Sequence, residues 1–169
     1  ETELFAPLEK ELALLRVKFY REGYVLTEEE FRKYANLEDR VKSQMGETGK
    51  SARGWWLIGR CREGVSDAPG AEQAYDLALG IDPDHGLTLL QKGKMALVRA
   101  LSERALSGSD EERKRRSVEI AAMGAGWVRR GLELLGQEWG MEGDLAAGYL
   151  KVVEEWRQGS YFAGPMLVK

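Results

Sequence analysis

The sequence predicts an all-α protein of about six or seven helices, and three observations carry that reading. Apolar residues recur at steps of three and four along nearly the whole chain, which places them on one face of successive helices. Alternating apolar and polar residues, the mark of a half-buried strand, form no convincing run. The intervals between periodic stretches hold helix-starting and helix-stopping residues.

The elements follow in order. Leu8, Leu12, Leu15 and Phe19 share the first helical face. Pro7 is tolerated near a first turn, so residues 1–6 read as a lead-in. Arg21, Glu22 and Gly23 break the pattern. Thr27 and Glu30 form a capping box, the hydroxyl accepting from the N3 amide while the carboxylate reaches back to the cap. Phe31, Tyr34, Leu37, Val41 and Met45 supply the buried stripe behind it.

Residues 46–51 are a polar loop, and helices over about 52–63 and 70–79 follow it. Asp82, Pro83 and Asp84 end that pair, because proline lacks an amide hydrogen and restricts the residue before it. The next helix covers about 86–105. Ser109 with Glu112 reads as a second capping box, opening a long helix to about Gly136. Its core face is predicted to be Val118, Ala122, Ala125, Val128, Leu132 and Leu135. A last helix over about 142–157 points Leu145, Tyr149, Val152 and Trp156 inward.

The bulk numbers bound the function. At 169 residues the chain can bury a proper core, and 43% hydrophobic with 31% charged residues is globular composition rather than disorder. A net charge of −3 offers no broad attraction to nucleic acid or an anionic membrane. Cys61 is the only cysteine, so neither an intrachain disulfide nor a cysteine-based zinc cluster is available. A reducing compartment fits this, and so does export without disulfides; the expectation is the cytoplasm or another soluble compartment. The first residue is Glu1 rather than methionine, as expected of a processed or a cut form, so the absence of a targeting segment excludes no compartment. No apolar run approaches the roughly 18 residues of a membrane span, so no membrane insertion is expected.

Residues 52–85 carry a sharper pattern. Trp55, Ile58 and Gly59 give an aromatic, apolar and small set, followed by Ala71, Tyr75 and Ala78, and then Pro83. At this ungapped spacing the stretch resembles one complete tetratricopeptide repeat, a 34-residue helix–turn–helix unit. Only Arg62 departs, standing where tyrosine is usual. Gly59 and Ala71 are small enough for the helices to approach closely, while Trp55 and Tyr75 fill the space around the pair. A degenerate second unit starts at Gly86: Gly93, Ala105 and Leu89 fit, but Lys92, Ser109 and Glu112 occupy core positions.

The resemblance implies antiparallel helix pairs stacked as a short superhelix with flanking helices, because one pair cannot bury both its faces alone. It implies a single all-helical domain over residues 1–158 and an apolar tail over 159–169. That tail holds Tyr161, Phe162, Met166, Leu167 and Val168, suited to docking on its own domain, on a partner's groove or in a homodimer.

In this family the first helix of each pair lines a concave groove. The matching positions are Arg53, Trp56, Arg60 and Glu63, then Leu87, Leu90, Lys94 and Leu97, with Gln91 beside them. The resemblance therefore implies a non-enzymatic interaction scaffold or assembly adaptor, with Arg53, Trp56, Arg60, Leu87, Leu90, Gln91 and Lys94 facing a partner protein or peptide. Three cations there favour an acidic peptide or a terminal carboxylate. The plainer reading packs Trp56 beneath the N-terminal helices and leaves the cations as solubilising charges. The family's chaperone-tail clamp needs lysine and asparagine where Trp56 and Arg60 stand, so that specificity is not expected. The alternative from another class is a self-associating structural subunit that uses the repeat surface and the tail.

No cofactor, metal site or catalytic residue is expected. Residues 46–51 resemble the end of a phosphate-binding loop, but Gln44 replaces the required first glycine and a charged helix end replaces the buried strand. His85 is the only histidine and sits in a turn. Cys61 lies between Arg60 and Arg62, which would activate its thiol if it were exposed; packing on a helix favours a small buried side chain. The run Glu111, Glu112, Arg113, Lys114, Arg115 and Arg116 reads as a solvated helix face. Glu154 and Glu155 are adjacent on a helix and point apart, which unsuits them for paired acid–base work.

Overall fold

The computed structural model describes residues 2–23, 25–138 and 140–157, and among them it contains seven α-helices and no strand. The helices are α1 (Thr2–Arg21), α2 (Glu28–Met45), α3 (Ala52–Gly64), α4 (Ala68–Ile81), α5 (Gly86–Leu106), α6 (Glu111–Leu135) and α7 (Gly140–Arg157). They form two compact units, Glu1–His85 and Gly86–Lys169. The apolar tail predicted over 159–169 lies outside the described residues.

In the first unit, polar caps set the helix starts. Thr27 Oγ1 accepts from Glu30 N while Glu30 Oε2 accepts from Thr27 N, both at 3.2 Å, so the predicted capping box is present. Ser51 Oγ accepts from Gly54 N at 3.0 Å to open α3. Asp67 Oδ1 accepts from Gly70 N at 3.0 Å to open α4, with Pro69 in the first turn, where no amide hydrogen is missed.

Helix pairing is repeat-like. α1 packs on α2 and α3, α2 packs on α3, and α3 packs on α4. Within this unit, short connections join consecutive helices as antiparallel hairpins. α3 is the shared element, and its glycines at 54, 59 and 64 explain how it serves neighbours on several sides. A Cβ on Gly59 would collide with the buried Tyr75 ring of α4, one on Gly64 with the Tyr34 ring of α2, and one on Gly54 with Met45. Gly54 also faces Phe5 of α1, 3.3 Å from where its Cβ would lie. Phe5, Leu8, Leu12, Leu37, Val41, Leu57, Ile58 and Cys61 complete this core. Each large apolar side chain buried there contributes about 1.5–3 kcal/mol relative to exposure.

Two predicted details change. α1 starts at Thr2, so Pro7 lies inside the helix and the supposed lead-in contributes the fully buried Phe5. Phe31 follows the α2 stripe in sequence but is 50% exposed. It lies about one turn before Tyr34 and lines a cleft rather than the core.

The second unit is a three-helix arrangement in which α5, α6 and α7 each touch the other two. α6 is capped by Asp110, whose Oδ1 accepts from Arg113 N at 3.0 Å, and not by Ser109. Leu90, Leu97 and Ala100 of α5, Ala121, Ala125 and Val128 of α6, and Ala146, Val153 and Trp156 of α7 form the core. The α6 face is rotated from the one predicted: Val118 and Ala122 are exposed, while Ser117, Ala121, Gly124 and Gly131 are buried. The cause is close approach. Gly93 and Gly124 face each other, as do Gly86 and Gly131, so the α5–α6 contact selects the smallest side chains rather than the most apolar. On α7 Trp156 lies in the core and Tyr149 packs against it as predicted, while Ala146 and Val153 take the inside places expected of Leu145 and Val152.

Candidate functional site

Arg53, Trp56 and Arg60 sit three and four residues apart on α3, a spacing that brings side chains onto one helical face. The structure does bring them together. The Arg53 guanidinium carbon is 5.0 Å from the Trp56 ring centroid and that of Arg60 is 5.8 Å away, both within cation–π reach. Arg53 is also held by Glu9 of α1 in a two-pronged pair, Nε to Oε1 and a terminal nitrogen to Oε2 at 2.7 Å. Arg60 pairs with Glu63 at 3.6 Å. Trp56 is 8% exposed, and its indole nitrogen has no hydrogen-bond partner among the described residues.

The second group lies on α5. Leu90 and Gln91 are buried, Leu87 is half-buried, and Lys94 is 8% exposed with its ammonium 2.7 Å from Glu142 of α7. Lys92, which looked misplaced at a core position, rests its ammonium 4.5 Å from the Trp127 ring centroid of α6.

These placements correct the expected groove. Trp56, Arg60, Leu90, Gln91 and Lys94 are buried, so they do not present a solvent-facing cationic surface. Each cation of the set already has a carboxylate: Glu9 for Arg53, Glu63 for Arg60 and Glu142 for Lys94. The reason is desolvation, since a charge taken out of water is retained only with a counter-charge beside it. Arg53 and Leu87 are the two members of the set that keep partial exposure. The plainer alternative for Trp56, packing among the N-terminal helices, matches its burial beside Arg53 and that residue's partner on α1.

Arg62 takes a structural part. Its Nε donates to Glu38 Oε1 of α2 at 2.7 Å and a terminal nitrogen donates to the Gly70 carbonyl of α4 at 3.0 Å, tying three helices. Beside it a cleft of about 410 Å³ opens among α2, α3 and α4. Sequence reasoning passed over this cleft; the only trace was a stripe position, Phe31, on a helix with five acidic residues.

The remaining motifs resolve into structure. Residues 46–51 connect two helices, Ser51 spends its hydroxyl on the α3 cap, and the Gly49 carbonyl accepts from Trp55 Nε1 at 2.7 Å. The Cys61 thiol is pushed up to about 12, by burial first and Glu38 next, against smaller opposing effects of Arg60 and Arg62. His85 donates its backbone amide to the Asp82 carbonyl at 3.1 Å in the turn before α5. Arg113 and Lys114 pair with Glu103 and Glu111. Among the described residues no His, Cys, Asp or Glu cluster has metal-holding geometry, and no helix is long and apolar enough to cross a membrane.

The class defined by fold and site is thus an all-helical chain of paired helices with an aromatic–cation cluster locked by resident carboxylates. No family model, curated protein or solved structure matches the chain.

Proposed function

We propose that this chain is a non-enzymatic protein–protein interaction scaffold of tetratricopeptide-repeat type, an adaptor that binds another polypeptide on its helical faces. The observation that supports this most is the α3–α4 hairpin. Tyr75 closes over Gly59 while Ile58, Ala71 and Ala78 are fully buried, so five of the seven residues that carry the resemblance pack within the hairpin; Trp55 instead donates to the Gly49 carbonyl and Pro83 is exposed. A frame of this kind is rigid and offers fixed faces to a partner, which lowers the ordering cost of binding.

Binding is assigned to side chains that keep access, namely Arg53 and Leu87 from the expected set. Trp56 and Arg60 act behind Arg53 as its stacking support, and Leu90, Gln91 and Lys94 belong to the α5 interior. The test is capture of a polypeptide from native extract by the immobilised chain, compared with Arg53→Ala and Leu87→Ala. The scaffold reading expects one recurrent polypeptide whose recovery falls for at least one variant while helicity is unchanged. Recovery of nothing above a denatured-chain control would refute it.

Self-association is the second reading, favoured by Met141 and Leu145, exposed apolar residues four apart on α7. Sedimentation velocity separates the two: a concentration-dependent dimer abolished by Met141→Asp with Leu145→Asp supports a structural subunit, whereas a monomer at all concentrations excludes it.

A further inference from the structure

The cleft among α2, α3 and α4 and the outer face of α4 combine two independent features. The first is an unpartnered apolar surface. Tyr34 and Cys61, both buried, floor the cleft, while Phe31 and Val65 flank it. Phe31 is half-exposed at its mouth. Gln73 continues the surface onto α4, where Leu77, 48% exposed, and Ile81, also exposed, follow at steps of four.

The second feature is charge. No lysine or arginine occurs between Arg62 and Lys92, and in that interval stand Glu63, Asp67, Glu72, Asp76, Asp82 and Asp84. Arg62, the one cation among the described residues that line the cleft, is matched by Glu38 and by the Gly70 carbonyl. Asp67, Glu72 and Asp76 are all exposed. A recess with aromatic and aliphatic walls and a polar rim that carries carboxylates selects a ligand that combines an apolar anchor with positive charge. It repels nucleic acid and anionic lipid.

We propose that this face docks a basic amphipathic peptide segment of a partner protein. A bulky apolar side chain enters the cleft against Phe31 and Val65, a second rests on Leu77, and flanking lysines or arginines meet Asp67 and Glu72. The proposal rests on the scaffold reading but uses residues other than Arg53 and Leu87.

The probe is a fluorescently labelled synthetic peptide, KKLAKWAKK, titrated with the full chain by anisotropy, with amide shifts followed by NMR. Saturable binding is expected, with shifts centred on Phe31, Val65, Gly70 and Gln73. Phe31→Ser should weaken it about tenfold, the scale of losing one interface anchor. Glu72→Lys should weaken it about fivefold at low salt, as expected for an exposed rim charge. The acidic counterpart EELAEWAEE should not bind. Both substituted residues are exposed, so circular dichroism should show unchanged helicity.

Absence of saturable binding overturns the proposal. So does an affinity unchanged by Phe31→Ser, which would mean diffuse charge attraction without the cleft. If the probe fails while the chain still captures a polypeptide from extract, the docking face is wrong and the scaffold reading stands. If both fail, both are wrong.

Discussion

Two glycines five residues apart on α6 should respond to the same substitution with opposite signs. The three atoms nearest a Cβ built on Gly131 are all backbone of α5: Leu90 N at 2.8 Å, the Gly86 carbonyl oxygen at 2.9 Å and Leu90 Cα at 3.1 Å. No rotamer change relieves that clash, so α5 and α6 must part. A Cβ built on Gly126 meets nothing within 4 Å. Both variants gain the intrinsic helix preference of alanine over glycine, about 1 kcal/mol in each. That gain cancels in their difference and leaves the overpacking cost of the closed site, about 1–3 kcal/mol. Gly126→Ala should therefore stabilise slightly, and Gly131→Ala should melt lower than Gly126→Ala by at least about 4 °C for a unit of this size. Thermal unfolding by far-ultraviolet circular dichroism reads this directly. Equal melting temperatures for the two variants would mean that the α5–α6 approach is not glycine-dependent, and the account of the second unit's core would fail.

Three further outcomes follow from the buried charges and the thiol. Lys94→Glu sets a carboxylate against Glu142 in a mostly buried site and should destabilise by about 3 kcal/mol in urea titrations. Adding Glu142→Lys should recover part of that loss, and no recovery would disprove the pairing. Cys61, buried with its thiol pushed up to about 12, should resist a soluble thiol reagent in the folded chain and react after denaturation. Labelling at the rate of a free thiol would contradict its placement. The Thr27 backbone amide and then Lys18 hold the Glu30 carboxyl below its ordinary value of 4.5. A lowered folded value means the carboxylate's stabilisation is present above about pH 4.5 and is lost as pH falls through the folded value. Glu30→Gln should flatten that part of the acid dependence in urea titrations at neutral and acid pH. An unchanged slope would remove Glu30 from the acid response.

Helix existence was legible because it depends on local signals. Thr27 with Glu30, the proline after Asp82 and the threefold-fourfold spacing of apolar residues act within a few residues of themselves. Helix orientation was less legible. Valine at 118 and leucine at 145 outrank alanine at 121 and 146 in hydrophobicity, so periodicity turned their faces inward, yet both are exposed. What decided the α6 face was the distance of closest approach to α5, which only Gly124 and Gly131 permit. A glycine inside a helix reads locally as a weakness, and its value appears only when a second backbone lies against it.

The same limit governed the site. Arg53, Trp56, Arg60 and Glu63 were legible as a cluster because they share one helix face, but the carboxylates that answer Arg53 and Lys94 were not. Glu9 lies 44 residues before Arg53, and Glu142 lies 48 residues after Lys94, separations that no spacing rule connects. A cation at a partly apolar position reads in sequence as a binding group, whereas in a fold that brings a distant carboxylate to it the cation is already bound. Charge that lies beside uncovered apolar surface is therefore the better guide to a partner. The interval from Glu63 to Asp84, acidic and without a lysine or arginine, lies along exposed Leu77 and Ile81 and meets the cleft through Asp67 and Gln73. An acidic run beside uncovered apolar surface is a combination that folding alone does not require.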